Sequence, residues 1–503
     1  MFSGMAEGFA LLSWDILGWA ALGVLLASSI SVMPGLGGAF VLAILIPFAF
    51  ALEPIEAVAI LTAAIVVTST ANTITGVLFG IPGSASGVAT IFDGYPMAQR
   101  GEGGRAVSAG LVASLAGGIL GAVALGAVLP IARPMVLAFG PPEFFALVLV
   151  AVIVIAQIQD GETSRSLVAG GLGFMAAYVG VEGATAQFRF TFGSGYLSEG
   201  FPLIAVVIGL FAITEMIDLG RRRTAIAADA STDSMGLGWS GTVQGAKDVL
   251  VYWKTTVSSS LIGVIVGIIP GMGSGAAQFL AYGRAATVSP NRAQFGKGAV
   301  EGVISSDAAT NSKEGGSLVP TLVFGVPGSA NMAILLAAFI GIGITPGPEM
   351  VTTQLPLTWM IIWLIVISNI MATLLSLGAA IPLARLTMVK GERLIPAIIL
   401  ICLWGGFTAS FNAGDLFVVV GFGFLGYALK RYGYSRSTFV IGFVLGPLLE
   451  RNYILSQRLF GWSFLLRPWT MAILSIPVLV IGAKLYADQR NRRRDAELVG
   501  PTS

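Results

Sequence analysis

Histidine is absent from the 503 residues, and cysteine occurs once, at Cys402. The first absence excludes histidine metal sites, histidine general bases and histidine proton relays. An intramembrane metalloprotease of the HExxH type is ruled out with them, and any proton coupling has to run through Asp or Glu. A lone cysteine forms neither an intramolecular disulfide nor a cysteine metal cluster. Charge is scarce as well: Asp, Glu, Lys and Arg make up 11% of the chain, against roughly 25% in soluble domains. The net charge of +2 gives no sign of nucleic-acid binding. There is no GxxxxGK[ST] string, so ATP does not drive the protein directly. The opening residues, MFSGMAEGFALLSWDILGW, lack a basic n-region and read as a retained first helix, not a cleaved signal peptide.

Apolar sequence is what the chain has in excess. It is 55% hydrophobic, with a mean hydropathy of +0.86. Apolar stretches recur from Leu11 to Leu485 and leave no room for a large soluble domain. A span takes ~20 apolar residues, so the expectation is an all-α polytopic membrane protein with about 10–12 transmembrane helices plus broken or re-entrant segments. The runs are too continuous for the alternating ~10-residue strands of an outer-membrane barrel.

Within the apolar sequence, glycine-proline breaks occur in two matched pairs. The first half carries PGLGG (34–38) and FGIPGSA (79–85); the second carries PGMGS (270–274) and FGVPGSA (324–330). The first motif repeats at an offset of 270 − 34 = 236 residues and the second at 327 − 82 = 245. This is one internal repeat with a small insertion. The polar stretch 218–248, which begins DLGRRRTAIAADASTD, reads as a cytoplasmic linker. It separates a first transmembrane repeat, 1–217, from a second, 249–487, and a basic cytoplasmic tail follows at 488–503. Loops 384–393 and 430–437 hold Arg385, Lys390, Arg393, Lys430, Arg431 and Arg436, whereas loops 131–143 and 182–199 hold Arg133 and Arg189. By the positive-inside rule the two halves are then inverted, with the linker and tail inside and the N-terminus outside.

A broken helix in hydrocarbon exposes backbone groups that lipid cannot satisfy. Such breaks survive where protein buries them or water reaches them, and paired breaks in two halves point to a transporter's binding site. A helix that starts at a break aims free N–H groups and a partial positive charge at whatever lies before it, which makes an anion site. The substrate contacts expected on this basis are Pro34, Gly35, Gly37 and Gly38, then Pro82, Gly83 and Ser84. Their counterparts are Pro270, Gly271, Gly273 and Ser274, then Pro327, Gly328, Ser329 and Asn331. The polar strings TSTANTITG (68–76) and SSDAATNSKEGGSLVPT (305–321) add Asn72, Thr73 and Asn311 as neutral donors and Lys313 as a counter-charge for an anion. Thr68, Thr75, Asp307 and Ser312 are the candidates for a coupling cation, and Glu314 is a further costly ionisable group. Two plainer readings stand beside these. Glycines often serve only close helix packing, and 305–321 reads equally as a wetted loop or a stretch where Lys313 pairs with a nearby acid. Asp15, Asp415 and Glu450 read as interfacial residues, and FDGYPMAQRGEGGRA (92–106) as a surface hairpin.

The strings VMPGLGG, GIPGSASGVATIFDGYPMAQRGEGGRA, GIIPGMGSGAAQFLAYGRA, FGKGAVEGVISSDAATNS, GGSLVPTLVFGVPGSA and GIGITPGPEM resemble, in this order, the large membrane subunit of the tripartite tricarboxylate transporters, the TctA family. The resemblance implies a secondary importer of organic carboxylates, such as citrate and other di- or tricarboxylates, in the bacterial inner membrane. Uptake would be coupled to Na+ or H+, with no other cofactor. It also implies two partners: a small membrane subunit of about four spans and a periplasmic solute-binding protein. An ion channel and, more remotely, an intramembrane enzyme on lipid-linked substrates are the rival readings. A channel usually places its broken helices in a ring about a symmetry axis, and an enzyme needs a convergent acid, base or nucleophile set that is not visible here.

Overall fold

The computed structural model describes residues 2–33, 36–158, 163–182, 186–222, 237–386, 391–408 and 410–477. The expected tail lies outside these residues, as does 223–236 of the expected linker, whose two ends, 218–222 and 239–248, are helical. The strands among them are the two-residue antiparallel pair β1 (Gly180–Val181) and β2 (Phe188–Arg189); the rest of the ordered structure is helical. The first half runs α1 (Phe2–Ala10), α2 (Trp14–Ser31), α3 (Gly38–Ala49), α4 (Pro54–Phe79), α5 (Val88–Gln99), α6 (Gly103–Ala138), α7 (Pro141–Ile158) and α8 (Thr163–Ala177). Then come α9 (Gly195–Ser198), α10 (Leu203–Val207) and α11 (Thr214–Arg222), the last two joined through a π turn at Ile208–Ile213. The second half runs α12 (Trp239–Val251), α13 (Trp253–Ile268), α14 (Ser274–Val288), α15 (Val300–Leu318), α16 (Ala330–Gly341) and α17 (Leu355–Gly378). It closes with α18 (Ala380–Leu386), α19 (Gly391–Phe407), α20 (Gly414–Arg431) and α21 (Arg436–Phe460). The sequence α2–α3–α4–α5–α6 thus has the same order of long and short helices as α13–α14–α15–α16–α17.

Local chemistry sets the ends. α4 opens on Pro54, where a missing N–H is harmless, with a reciprocal capping box between Glu53 and Glu56. It stops at Gly80, which takes the left-handed conformation (φ 64°) that a side chain resists. Small residues then let the helices close on one another. Gly117 and Gly121 of α6 abut Ala308 and Ser312 of α15, Gly263 and Gly267 of α13 abut Ala309 and Lys313 of α15, and Gly173 of α8 abuts Phe439 of α21. For these glycines the packing role holds.

The contacts give each helix a direction. Gly23 rests on Ile60, and Thr75 donates to the Val32 carbonyl at 3.0 Å, so α2 and α4 run in parallel. α3 therefore returns to the end from which α2 started, and α2–α3 is a hairpin. α13 and α15 are parallel by the glycine contacts above, and Arg284 of α14 reaches back to Ser258 of α13, which makes α13–α14 a second hairpin. α4 and α15 run antiparallel: Thr70 faces Asn311, while Gly110 brings Thr73 to Asp307 and Gly94 brings Val77 to Val303. The two hairpins consequently enter the bundle from opposite ends.

Among the described residues six helices are long and apolar enough to cross a membrane, or seven if the pair Trp239–Val251 and Trp253–Ile268, bent by 74°, is one span. Shorter apolar helices accompany them, and two of these, Gly38–Ala49 and Ala330–Gly341, begin at breaks and have 12 residues each. Large apolar side chains cover the outside, Val123, Leu374 and Phe417 among them, as a lipid-facing surface requires. The protein is an all-α polytopic membrane protein.

Several polar residues sit differently from the expectation. The 92–106 stretch is mostly helix: α5 continues to Gln99 and α6 begins at Gly103, with only a short turn between. Asp93 is fully buried, where it accepts from the backbone N–H groups of Gly298 and Ala299 at 2.8 Å each and from the Tyr282 hydroxyl at 2.9 Å. Asp415 is buried too and accepts from Tyr196 and Ser410. Asp15, by contrast, is exposed in the first turn of α2, at a helix end as expected, and Glu450 pairs with Arg189. The 305–321 stretch is a buried helix, not a wetted loop.

Candidate functional site

The helix breaks converge. Gly37 and Gly38, Ser84, Gly271, Gly273 and Ser274, and Ser329 with Asn331 all line one cavity of about 580 Å³. Thr68, Asn72 and Lys313 line it as well. Pro34 and Gly35 lie outside the described residues. The other break residues shape the tips without lining the space: Gly83 is buried against Asn72, Gly328 against Ser317, and Pro82, Pro270 and Pro327 sit in the turns themselves.

Two kinds of helix start face this cavity. α3 and α14 begin after Gly37 and Gly273, and neither is capped by a side chain. Their first N–H groups have no intrahelical partner. The other two starts are capped by serine. The Ser329 hydroxyl accepts from the Met332 N–H at 3.4 Å at the start of α16. The Ser84 hydroxyl accepts from the Ser86 N–H at 3.2 Å in the short turn that leads into α5. Asn72 braces that turn through its amide nitrogen, which donates to Ser84 Oγ at 2.8 Å and to Ser86 Oγ at 3.2 Å. The Gly38 backbone abuts Thr68 in its own half and Asn331 across the halves. Gly271 is in the left-handed region (φ 86°) and donates its N–H to the Gly328 carbonyl at 2.9 Å, which ties the second hairpin tip to the fourth break. A glycine is required at that position.

The charges are arranged with the cations toward the space. Lys313 is 1% exposed and lines the cavity, while its partner Glu314, 3.4 Å away, also accepts from Ser274 Oγ at 3.3 Å. The expected pairing of Lys313 with a nearby acid is therefore present, and Lys313 lines the cavity all the same. Lys430 and Arg436 line the cavity as well. Behind them, Glu215 pairs with both and Asp218 pairs with Lys430, at 2.8–2.9 Å. Sequence reasoning read 430–437 only as a basic loop. It missed that Gly433, Tyr434, Ser435 and Ser437 line the cavity too, with Ser435 capping α21 by accepting from the Thr438 N–H at 3.1 Å. Ser69 and Ser86 are further lining residues that it did not single out. The signal was there in outline, since an N-capping serine next to an arginine is a helix start with a charge.

Five further expected site residues, away from the breaks, are not on the cavity. Asn311 lies in an interhelical network, where it donates to the Ser114 carbonyl at 2.9 Å and to Asn369 Oδ1 at 2.5 Å. Ser312 bonds the Ala309 carbonyl, and Thr75 the Val32 carbonyl. Asp307 and Thr73 meet between α4, α5, α6 and α15. The reason is helical phase: these side chains leave their helices on faces turned away from the breaks.

Comparison with known proteins places the chain. Residues 17–441 match the family described as the tripartite tricarboxylate transporter TctA family. One relative from Agrobacterium vitis, an uncharacterized 52.8 kDa protein in the TAR-I ttuC' 3' region, is 29% identical over 98% of this chain and 98% of its own length. Another from the same organism, an uncharacterized protein in the TAR-II ttuC' 3' region, is 33% identical over 46% of this chain and 97% of its own length. No solved structure matches the chain. With the family match spanning most of the sequence, the chain belongs to the TctA family and is a multi-pass membrane subunit of a tripartite tricarboxylate transporter system.

Proposed function

We propose that this subunit carries organic carboxylates across the bacterial inner membrane, as a cation-coupled secondary importer and not an enzyme. The observation that carries the reading is the meeting of four helix breaks with Lys313, Lys430 and Arg436 around one cavity. Helix N-termini and cationic groups at a buried site favour an anion. A volume of about 580 Å³ falls within the ~300–1,000 Å³ range of small-molecule sites. The substrate contacts are Gly37, Gly38, Asn72, Ser84, Gly271, Gly273, Ser274, Lys313, Ser329 and Asn331. Citrate is the first substrate to test.

The two halves are inverted repeats on this reading. The repeated helix order supports it, as do the antiparallel course of α4 and α15 and the opposite entry of the hairpins. The linker joins the end that carries Glu215, Asp218 and Lys430. Loop 182–199 sits at the other end of α21, where Arg189 meets Glu450, fourteen residues or ~21 Å from Arg436. Reporter fusions at the linker and in loop 182–199 are expected to report the cytoplasm and the periplasm, respectively. The same side for both would contradict the inverted arrangement.

The small membrane subunit and a periplasmic solute-binding protein complete the system. Proteoliposomes that hold this chain alone are expected to take up labelled citrate poorly, with the rate restored when both partners are added. Full-rate uptake by the purified chain would remove the binding protein from the proposal.

A further inference from the structure

Asp307 is a carboxylate with no counter-charge in the middle of the bundle. It is 4% exposed. Thr90 donates to Oδ1 at 3.0 Å, while Oδ2 has no partner among the described residues. The charged groups on the elements packed around α15 are engaged elsewhere or face outward. Asp93 of α5 holds the Gly298 and Ala299 N–H groups, Arg105 of α6 pairs with Glu102 and Asp248, and Arg133 of α6 is exposed. Lys254 of α13 is exposed, as is Arg284 of α14. On α15 itself Lys313 pairs with Glu314, and Glu301 accepts from Ser289. α4 has no charged residue beyond Glu56.

An ionised, unpaired carboxylate is strongly unfavourable in such an interior. Something must neutralise it. A metal cation needs several oxygen ligands at once. Beside Oδ2 the unpartnered side-chain oxygen is Thr73 Oγ1, and the Gly110 α-carbon closes the other side so tightly that a β-carbon there would collide with both groups. A proton needs no such space. We propose that Asp307 is the proton carrier of this transporter. It takes a proton from water on one side of the membrane, holds it on Oδ2 while the site is buried, and releases it to water on the other. One O–H bond forms and the same bond breaks, with no redox change. The inference rests on the transport reading and narrows its coupling ion to H+.

The neighbours of Asp307 are what would link that proton to the substrate. Thr73 follows Asn72, which lines the cavity, on α4. Thr90 lies on α5, just past the break that carries Ser84 and Ser86. Lys313 lies six residues further along α15, or ~9 Å. Two elements that line the cavity, α4 and α15, and the helix that follows the Ser84–Ser86 turn therefore touch or carry the carboxyl group.

Two measurements test this separately from the transport reading. Infrared difference spectra of the purified protein in sodium-free buffer are expected to show a buried carboxylic-acid C=O band that Asp307→Asn lacks. A carboxylate signal assigned to Asp307 at every pH where the protein stays folded would overturn the proposal, whatever the protein transports. In the complete tripartite system, wild type is expected to accumulate labelled citrate when a pH gradient alone is imposed. Asp307→Asn should lose accumulation yet still exchange internal for external citrate. Accumulation driven by a sodium gradient alone, or undiminished in Asp307→Asn, would overturn proton coupling through this residue. Wild type that moves no carboxylate under either gradient, with the acid band present, would count against the transport reading and leave the protonated Asp307 standing.

Discussion

Lys313→Gln is expected to raise the KM for citrate uptake roughly ten- to a hundredfold, because a hydrogen bond to a charged group contributes ~1.5–3 kcal/mol. Of the three cations on the cavity it is the most deeply buried, and its attraction for an anion is the least screened by water. The single substitution leaves Glu314 as a buried charge without its partner, which destabilises the fold by itself. The double variant Lys313→Gln/Glu314→Gln removes that strain. It is expected to restore expression and leave the KM high. A double variant with wild-type KM would show that Lys313 serves only to neutralise Glu314.

The second large effect concerns the turns. Gly83→Val and Gly328→Val are each expected to abolish uptake while the protein still inserts, since the change raises apolarity and insertion follows hydropathy. A β-carbon at position 83 would collide with Asn72 Oδ1, the amide that braces Ser84 and Ser86. At position 328 it would come within 2.9–3.0 Å of the Ser317 backbone. Neither glycine has a positive φ, so close approach is the mechanism and not backbone handedness. Ser84→Ala and Ser329→Ala should be milder, at up to about tenfold, because each removes one cap worth ~1 kcal/mol and leaves the helix end in place. Initial rates against citrate concentration, with expression matched by immunoblot, measure all four. Near-normal kinetics in both valine variants would mean that the breaks are packing devices.

The breaks were legible in the sequence because glycine and proline act locally. PGMGS and FGVPGSA stop a helix wherever they occur, and their repetition in two halves marked them as a set. Which neighbours would join them was only partly legible. Asn72 and Asn311 stand in similar polar strings and invite the same role. Asn72 lies ten residues before Pro82, but Asn311 lies sixteen before Pro327. Asn311 is two residues from the cavity-lining Lys313, or about 200° around α15, which turns it away from the cavity and into contact with Asn369. Lys313, not Asn311, occupies the position that corresponds to Thr68 when the two FG(I/V)PGSA strings are aligned. Lys430 and Arg436 show the opposite failure. Their charge was plain, but α20 and α21 meet the breaks only through tertiary packing, which no local pattern encodes. Asp93 looked like part of a surface turn because glycines and charges surround it, yet its partners are some two hundred residues away.

The claim at the centre of this account is that the four-break cavity holds the substrate carboxylates, and accessibility labelling tests it most directly. Cys402 is the lone cysteine and is buried, so Cys402→Ser gives a silent background. Ala39→Cys on α3 and Ala276→Cys on α14 place one thiol on each hairpin at the cavity wall, and Ser198→Cys in the 182–199 loop serves as an outside control. With the complete tripartite system, citrate is expected to slow maleimide labelling at both cavity positions, with half-protection near the KM for uptake, and to leave the control unchanged. Labelling rates at Ala39→Cys and Ala276→Cys that citrate does not alter, in variants that still transport it, would contradict the claim.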